Sequence, residues 1–157
     1  MPETVGGLPV HPLVVHAVVV LIPLSAIGVI TMALVPRWRR TLGFSVLLVS
    51  IAATAMVPVA KFSGENLQRE IASTPLIIRH RNLAETLLYF AVPLLLVAIV
   101  LWWRSRGSLN ENTGSGTMSV IISVVAVVVA LAALVQVVRV GHSGSDAVWS
   151  GVLSSAP

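Results

Sequence analysis

Four long apolar stretches, separated by short polar connections, set the pattern of this chain. Leu13 to Val35 runs for 23 residues, Thr41 to Ala60 for 20 and Met118 to Val138 for 21, all three without Asp, Glu, Lys or Arg. Asn82 to Trp103 runs for 22 and holds one carboxylate, Glu85. A helix needs about 20 predominantly apolar residues to cross the hydrocarbon core, so each stretch predicts a transmembrane helix. Short connections force consecutive helices to run antiparallel. The pattern therefore predicts an all-α fold, a four-transmembrane-helix, up-and-down bundle forming a single integral membrane domain over residues 1–157.

Local signals refine the ends of these helices. Thr74-Pro75 joins a good N-cap to a proline at the first helical position, which predicts that the third helix starts at Pro75 and projects beyond the membrane. Ser63, the Glu65/Arg69 pair at i, i+4 and the apolar Leu67 and Ile71 predict a short interfacial helix after the second span. Gly141 predicts the end of the fourth helix, and Ser143 with Asp146 three residues on predicts the cap of another short interfacial helix, anchored by Trp149. Both short helices belong to the same, outer face. Pro23, Pro58 and Pro93 lie inside spans, with kinks expected at Pro23 and Pro93. Trp38, Trp102, Trp103 and Trp149 fall at span ends, where amphipathic rings prefer to sit. Gly107 to Thr117 reads as a polar linker. The first span is too long for a signal peptide and no Lys or Arg precedes it, so it is expected to be a retained helix.

Composition sharpens the class. Hydrophobic residues make up 56% of the chain and charged residues 10%, with a mean hydropathy of +0.95, whereas soluble domains carry about 25% charged residues. So few charges cannot cover a water-exposed globule, which leaves the lipid bilayer as the surrounding medium. The absence of cysteine excludes disulfides, thiolate metal sites, c-type haem attachment and cysteine-ligated iron–sulfur clusters. The net charge of +4 comes from basic residues between the spans, which read as orientation signals rather than a nucleic-acid surface. Arg37, Arg39, Arg40, Arg104 and Arg106 all fall in the 1–2 and 3–4 connections. By the positive-inside rule these connections face the cytoplasm of a bacterial plasma membrane, and both termini lie outside it.

The chemistry concentrates at the outer end. His11, His16, His80 and His142 all map there, with Glu3, Glu65, Glu70, Glu85 and Asp146. His16 and Glu85 each lie three residues inside a span, at a depth where an ionisable group normally faces the bundle interior with a partner. Arg81 reaches Glu85 at i, i+4, and Arg139 and Gln136 approach from the fourth helix. The expected result is a polar pocket under the outer rim, built by the first, third and fourth helices.

Three readings of that pocket stand. In the first, Arg81–Glu85 and Arg139–Asp146 are ion pairs and the histidines are hydrogen-bonded rim residues. In the second, two histidines from different helices hold one b-type haem, His16 with His80 or His142. In the third, His16, His80 and His142, with Glu85 or Asp146, hold one transition-metal ion. Helix geometry constrains these choices. His80 and Glu85 are five residues apart, about 140° around a helix, so they do not aim at one small ion together. His11 precedes Pro12 and is expected at the helix start rather than inside the bundle. The Ser143/Ser145–His142–Asp146 group has hydrolase residue types, but close spacing in sequence is not a triad.

Three motifs carry a family resemblance: His11-Pro-Leu-Val-Val-His16 at the start of the first helix, Arg79-His-Arg-Asn-Leu-Ala-Glu85 at the start of the third, and Arg139-Val-Gly-His-Ser-Gly-Ser-Asp-Ala-Val-Trp149 after the fourth. Over nearly the whole chain the sequence resembles the predicted membrane proteins of domain-of-unknown-function family 2231. In that family's pattern His11, His80 and His142 are the matching histidines. The family has no assigned activity. Some of its members are joined to Rieske-type iron–sulfur domains, and the four-helix layout resembles haem-carrying b561-type cytochromes, so the resemblance implies membrane electron transfer. The Rieske module is absent here, and a separate redox partner is then required.

The expected function is an outer-face pocket binding one redox cofactor or metal for exchange of electrons with a respiratory membrane protein. His16 and His80 are the expected axial ligands and His142 the alternate ligand or orienter. Arg81, Glu85 and Arg139 are the expected propionate or surrounding partners, since the planar fork of arginine pairs with carboxylates. The reading from another class is a cofactor-free accessory subunit of a larger membrane complex, and a third is a pH-responsive element built on the rim histidines.

Overall fold

A computed structural model describes residues 4–5, 8–69, 73–107 and 116–153, with side chains over 10–69, 73–107 and 116–149. Glu3, Glu70, Ile71 and most of the polar linker, 108–115, lie outside the described residues. Two two-residue strands, β1 (Thr4–Val5) and β2 (Leu8–Pro9), pair antiparallel ahead of the first helix, an element that the apolar pattern does not signal. The helices are α1 (Val10–Leu34), α2 (Arg39–Gln68), α3 (Pro75–Glu85), α4 (Leu88–Gly107) and α5 (Gly116–Leu153). A 3₁₀ turn at Pro36–Trp38 joins α1 to α2. Four helical segments are long and apolar enough to cross a membrane, α3 and α4 together making the third. The fold is an all-α four-helix bundle, as the pattern predicts.

Around the bundle, α1 packs between α2 and α5, and α4 also packs between α2 and α5. Thus α1 and α4 occupy opposite corners, as do α2 and α5. Small residues make this close approach possible: Ala26, Ala53, Ala98, Ala126, Ala130 and Ala133 are all buried in one core cluster with Ile22, Val29, Met32, Leu94 and Leu101. Without a hydrophobic drive between helices in lipid, such packing relies on dispersion and interhelical hydrogen bonds. One such bond crosses the middle of the bundle, where the buried Ser25 Oγ donates to Ser50 Oγ at 2.6 Å and Ser50 passes its own proton to the Val46 carbonyl. The outward faces carry exposed apolar side chains such as Val20, Ile27, Leu96, Val128 and Val135, the surface that a bilayer requires.

The helix ends depart from expectation in three places. The second helix does not stop for a separate interfacial helix but runs unbroken through Pro58 and Ser63 to Gln68. Ser63 Oγ turns back to the Ala60 carbonyl inside the same helix instead of capping a new one. For the same reason α5 continues through Gly141: Ser143 Oγ bonds the Val140 carbonyl and Ser145 Oγ the Gly141 carbonyl. The third span does start at Pro75, with Thr74 Oγ1 accepting from the Ile77 amide, but it breaks at Thr86–Leu87. There the backbone tightens to i→i+3 bonds, Thr86 N–H to Leu83 and Leu87 N–H to Ala84. The Gln136 side chain on α5 holds the break by donating to the Leu83 carbonyl at 3.1 Å and to Thr86 Oγ1 at 2.7 Å.

The arginine-rich end is closed by Arg39. It is buried, and its Nε and Nη2 donate to the Met32 and Ala33 carbonyls at the C-terminal turn of α1, with Nη2 also reaching Ser123 Oγ on α5. The guanidinium thereby meets carbonyls that have no partner within their helix and the negative end of the helix dipole. Arg106 stacks over the Trp102 ring, 4.5 Å from its centroid.

Candidate functional site

The extended α2 and α5 carry two serine–glycine pairs, Ser63-Gly64 and Ser143-Gly144, beyond the point where the apolar pattern ends them. Each pair receives a histidine. His11 Nδ1 lies 3.0 Å from Ser63 Oγ and His80 Nδ1 lies 3.0 Å from Ser143 Oγ. Both rings are partly buried. The missing glycine side chains make room for them: a Cβ on Gly64 would stand 2.9 Å from His11 Cε1, and one on Gly144 would stand 3.2 Å from His80 Cε1.

The hydrogen bonds assign the tautomers. A serine hydroxyl has one proton, and here it goes to a backbone carbonyl, from Ser63 to Ala60 and from Ser143 to Val140. Each serine oxygen can then only accept, so the ring donates and Nδ1 carries the hydrogen. Among the described residues nothing bonds Nε2 of either histidine. Each ring therefore presents an Nε2 lone pair. The two imidazoles come from opposite corners of the bundle and lie within electrostatic range of each other.

Of the residues expected to form the site, His80 takes an inward position and His16 does not. His16 is exposed, and its Nδ1 donates to the Pro12 carbonyl one turn earlier at 2.6 Å. His11 and His16 are five residues apart, hence about 140° apart on a helix. The residue set aside as a helix-start histidine is the one that faces the bundle. The same angle places His80 inward and Glu85 outward, where Glu85 pairs with Arg81 at 3.1 Å on an exposed surface. His142 is exposed and pairs with Asp146, also at 3.1 Å, so Asp146 is a partner of His142 rather than of Arg139. Arg139 is exposed. His16, His80 and His142 are not brought together, and among the described residues no three His, Asp or Glu side chains are grouped to hold a metal ion.

A recess of about 470 Å³ lies at the histidine end, lined by Glu65, Gln68, Arg69, Ser73 and Arg81. It sits over the 2–3 connection. Gln136 does approach from α5, but it holds the Thr86 break.

Two neutral imidazole nitrogens from different helices are the donor set used by bis-histidine haem and by borderline transition metals. A fixed Nδ1–H on a hydrogen-bond acceptor is the usual support of an Nε2 ligand. The glycine cradles, which a Cβ would fill, suit that use of the rings. His11 and His80 therefore fit such a group by donor chemistry, and the set His16, His80 and His142 does not. The Ser-Gly signals were present in the sequence, but they read there as caps.

Fold and site together define a small four-helix integral membrane protein with a pair of histidines at the end opposite its arginine-rich connections. The chain belongs to the family described as "Predicted membrane protein (DUF2231)", whose model matches residues 7–157. No curated protein and no solved structure matches it.

Proposed function

We propose that His11 and His80 form a two-ligand site for one electron-transfer centre, a b-type haem or a single transition-metal ion, in a bacterial plasma-membrane protein that exchanges electrons with a separate membrane redox partner. The observation that carries this reading is the pair of Nδ1-anchored imidazoles with unengaged Nε2 atoms, offered from opposite corners of the bundle. When bound, such a centre would supply a one-electron couple. The chain's own part is to hold both rings in the tautomer that leaves Nε2 free, and to keep lipid from the outer end with the turns of α2 and α5 beyond the spans. Arg69 and Arg81, lining the neighbouring recess, supply guanidinium groups for propionates or for an acidic partner surface. With the arginines at the cytoplasmic end, the histidine pair lies at the extracytoplasmic surface.

The test is an absorption spectrum of the detergent-purified protein, air-oxidised and dithionite-reduced, with metal analysis of the same sample. The expected result is one haem or one metal per chain, lost in both His11→Ala and His80→Ala and retained in His16→Ala. Retention in His11→Ala overturns the ligand assignment. A spectrum without visible bands and a sample without metal, from a protein that co-purifies with a larger assembly, replaces the reading with that of an accessory subunit.

A further inference from the structure

The two histidine sites match atom for atom. His11 and His80 each give Nδ1–H to a serine at 3.0 Å. Each serine passes its proton three residues back, over 3.0 Å to Ala60 and 2.9 Å to Val140. Each ring rests its Cε1 edge on the glycine that follows the serine.

The match extends down the helices. The shift along the sequence that takes His11 to His80 also takes Val18 to Leu87, Ile22 to Ala91, Ser25 to Leu94, Val29 to Ala98 and Met32 to Leu101, and every one of these core residues is buried. It pairs His16 with Glu85, the two outward-facing groups of similar depth. The shift that takes Ser63 to Ser143 takes Gly64 to Gly144, Val57 to Val137, Ala53 to Ala133, Ser50 to Ala130 and Val46 to Ala126; the last four pairs are buried throughout. A seven-residue apolar pattern survives many shifts, so buried positions alone would prove little. What fixes the two shifts is that His11 meets His80 under one and Ser63-Gly64 meets Ser143-Gly144 under the other, with the same contacts in both sets. Packing agrees with them, because a half-turn about the bundle axis exchanges α1 with α4 and α2 with α5, and each helix keeps equivalent neighbours.

We infer that the chain is two copies of one helical hairpin related by a pseudo-two-fold axis, and that Ser63-Gly64 and Ser143-Gly144 are equivalent positioning residues of a single symmetric site, which presents His11 and His80 Nε2 to one shared ligand. The nature of that ligand rests on the proposed function; the symmetry and the positioning roles do not. Ser63 and Ser143 act through the histidines by selecting the Nδ1–H tautomer, the one that free imidazole disfavours.

The test uses ¹⁵N-histidine NMR of the full-length chain in detergent micelles at a pH where the rings are neutral, without added cofactor. A His16→Gln, His142→Gln background leaves two histidines to observe. Both are expected as Nδ1–H rings with unprotonated Nε2. Ser63→Ala is expected to return His11 to the Nε2–H form without changing His80, Ser143→Ala to do the converse, and the Ser→Thr variants to keep the original tautomer. An Nε2–H ring in the background protein, an unchanged tautomer in either alanine variant, or a single variant that switches both rings overturns the inference. A cofactor-free absorption spectrum overturns only the electron-transfer reading, so the two fail separately.

Discussion

His11 and His16 share a helix, a residue type and a nearby depth, yet they have opposite roles because five residues turn a helix through about 140°. The cradle beneath His11 is equally local. Gly64→Ala places a Cβ 2.9 Å from His11 Cε1, closer than real side chains approach, so the ring is pushed off its seat and its bond to Ser63 weakens. The expected cost is about 1 kcal/mol, the net worth of one hydrogen bond, read as an earlier midpoint on SDS titration of the protein in mixed micelles. Ser25→Ala at the mid-bundle pair is expected to cost about 0.6 kcal/mol by the same assay, the average for an interhelical hydrogen bond in a membrane bundle. Neither effect could be read from the chain alone, since a serine in an apolar run does not announce its partner.

At the scale of elements, serine decides where helices continue. Ser63, ahead of the Glu65/Arg69 pair, and Ser143, with Asp146 three residues on, read as caps because a serine before such a pattern usually starts a helix. Here each hydroxyl bonds the carbonyl of the preceding turn, and α2 and α5 extend to form the histidine site. The opposite happens at Thr86, where an apolar run predicts an unbroken helix and the structure has a break. Gln136 satisfies the Leu83 carbonyl and the Thr86 hydroxyl from α5. Gln136→Leu removes both bonds and is expected to destabilise the protein by about 1–3 kcal/mol, the net worth of two hydrogen bonds. Faster hydrogen exchange at the amides of residues 86–90 than in the rest of α4 would check the local cause, and uniform exchange along α4 would count against it.

At the scale of the whole molecule, the absence of cysteine makes orientation directly measurable. Ser73→Cys at the histidine end and Gly107→Cys at the arginine end both lie at exposed positions. A membrane-impermeant maleimide applied to intact cells is expected to label Ser73→Cys, and to label Gly107→Cys only after permeabilisation; the reverse pattern would put the histidine pair in the cytoplasm and change which partners can reach it. Arg39 ties that end of the bundle together by joining the close of α1 to α5. Arg39→Met is expected to cost about 1.5–3 kcal/mol, the worth of hydrogen bonds from a charged donor, in the same SDS titration.

The sequence by itself determined the medium, the number of crossings and the end of the molecule that carries its histidines. These depend on sums over some twenty residues, and the transfer of apolar side chains into lipid overrides local detail. The start of the third helix at Thr74-Pro75 was legible too, because a cap acts on its own next turn. Tertiary structure alone decided which histidines meet, why Ser-Gly continues a helix rather than capping one, and that the two hairpins place His11 and His80 alike. Those outcomes depend on the rotation of one helix against another and on single hydrogen bonds across 52 and 63 residues of chain, and no local pattern in the chain encodes either.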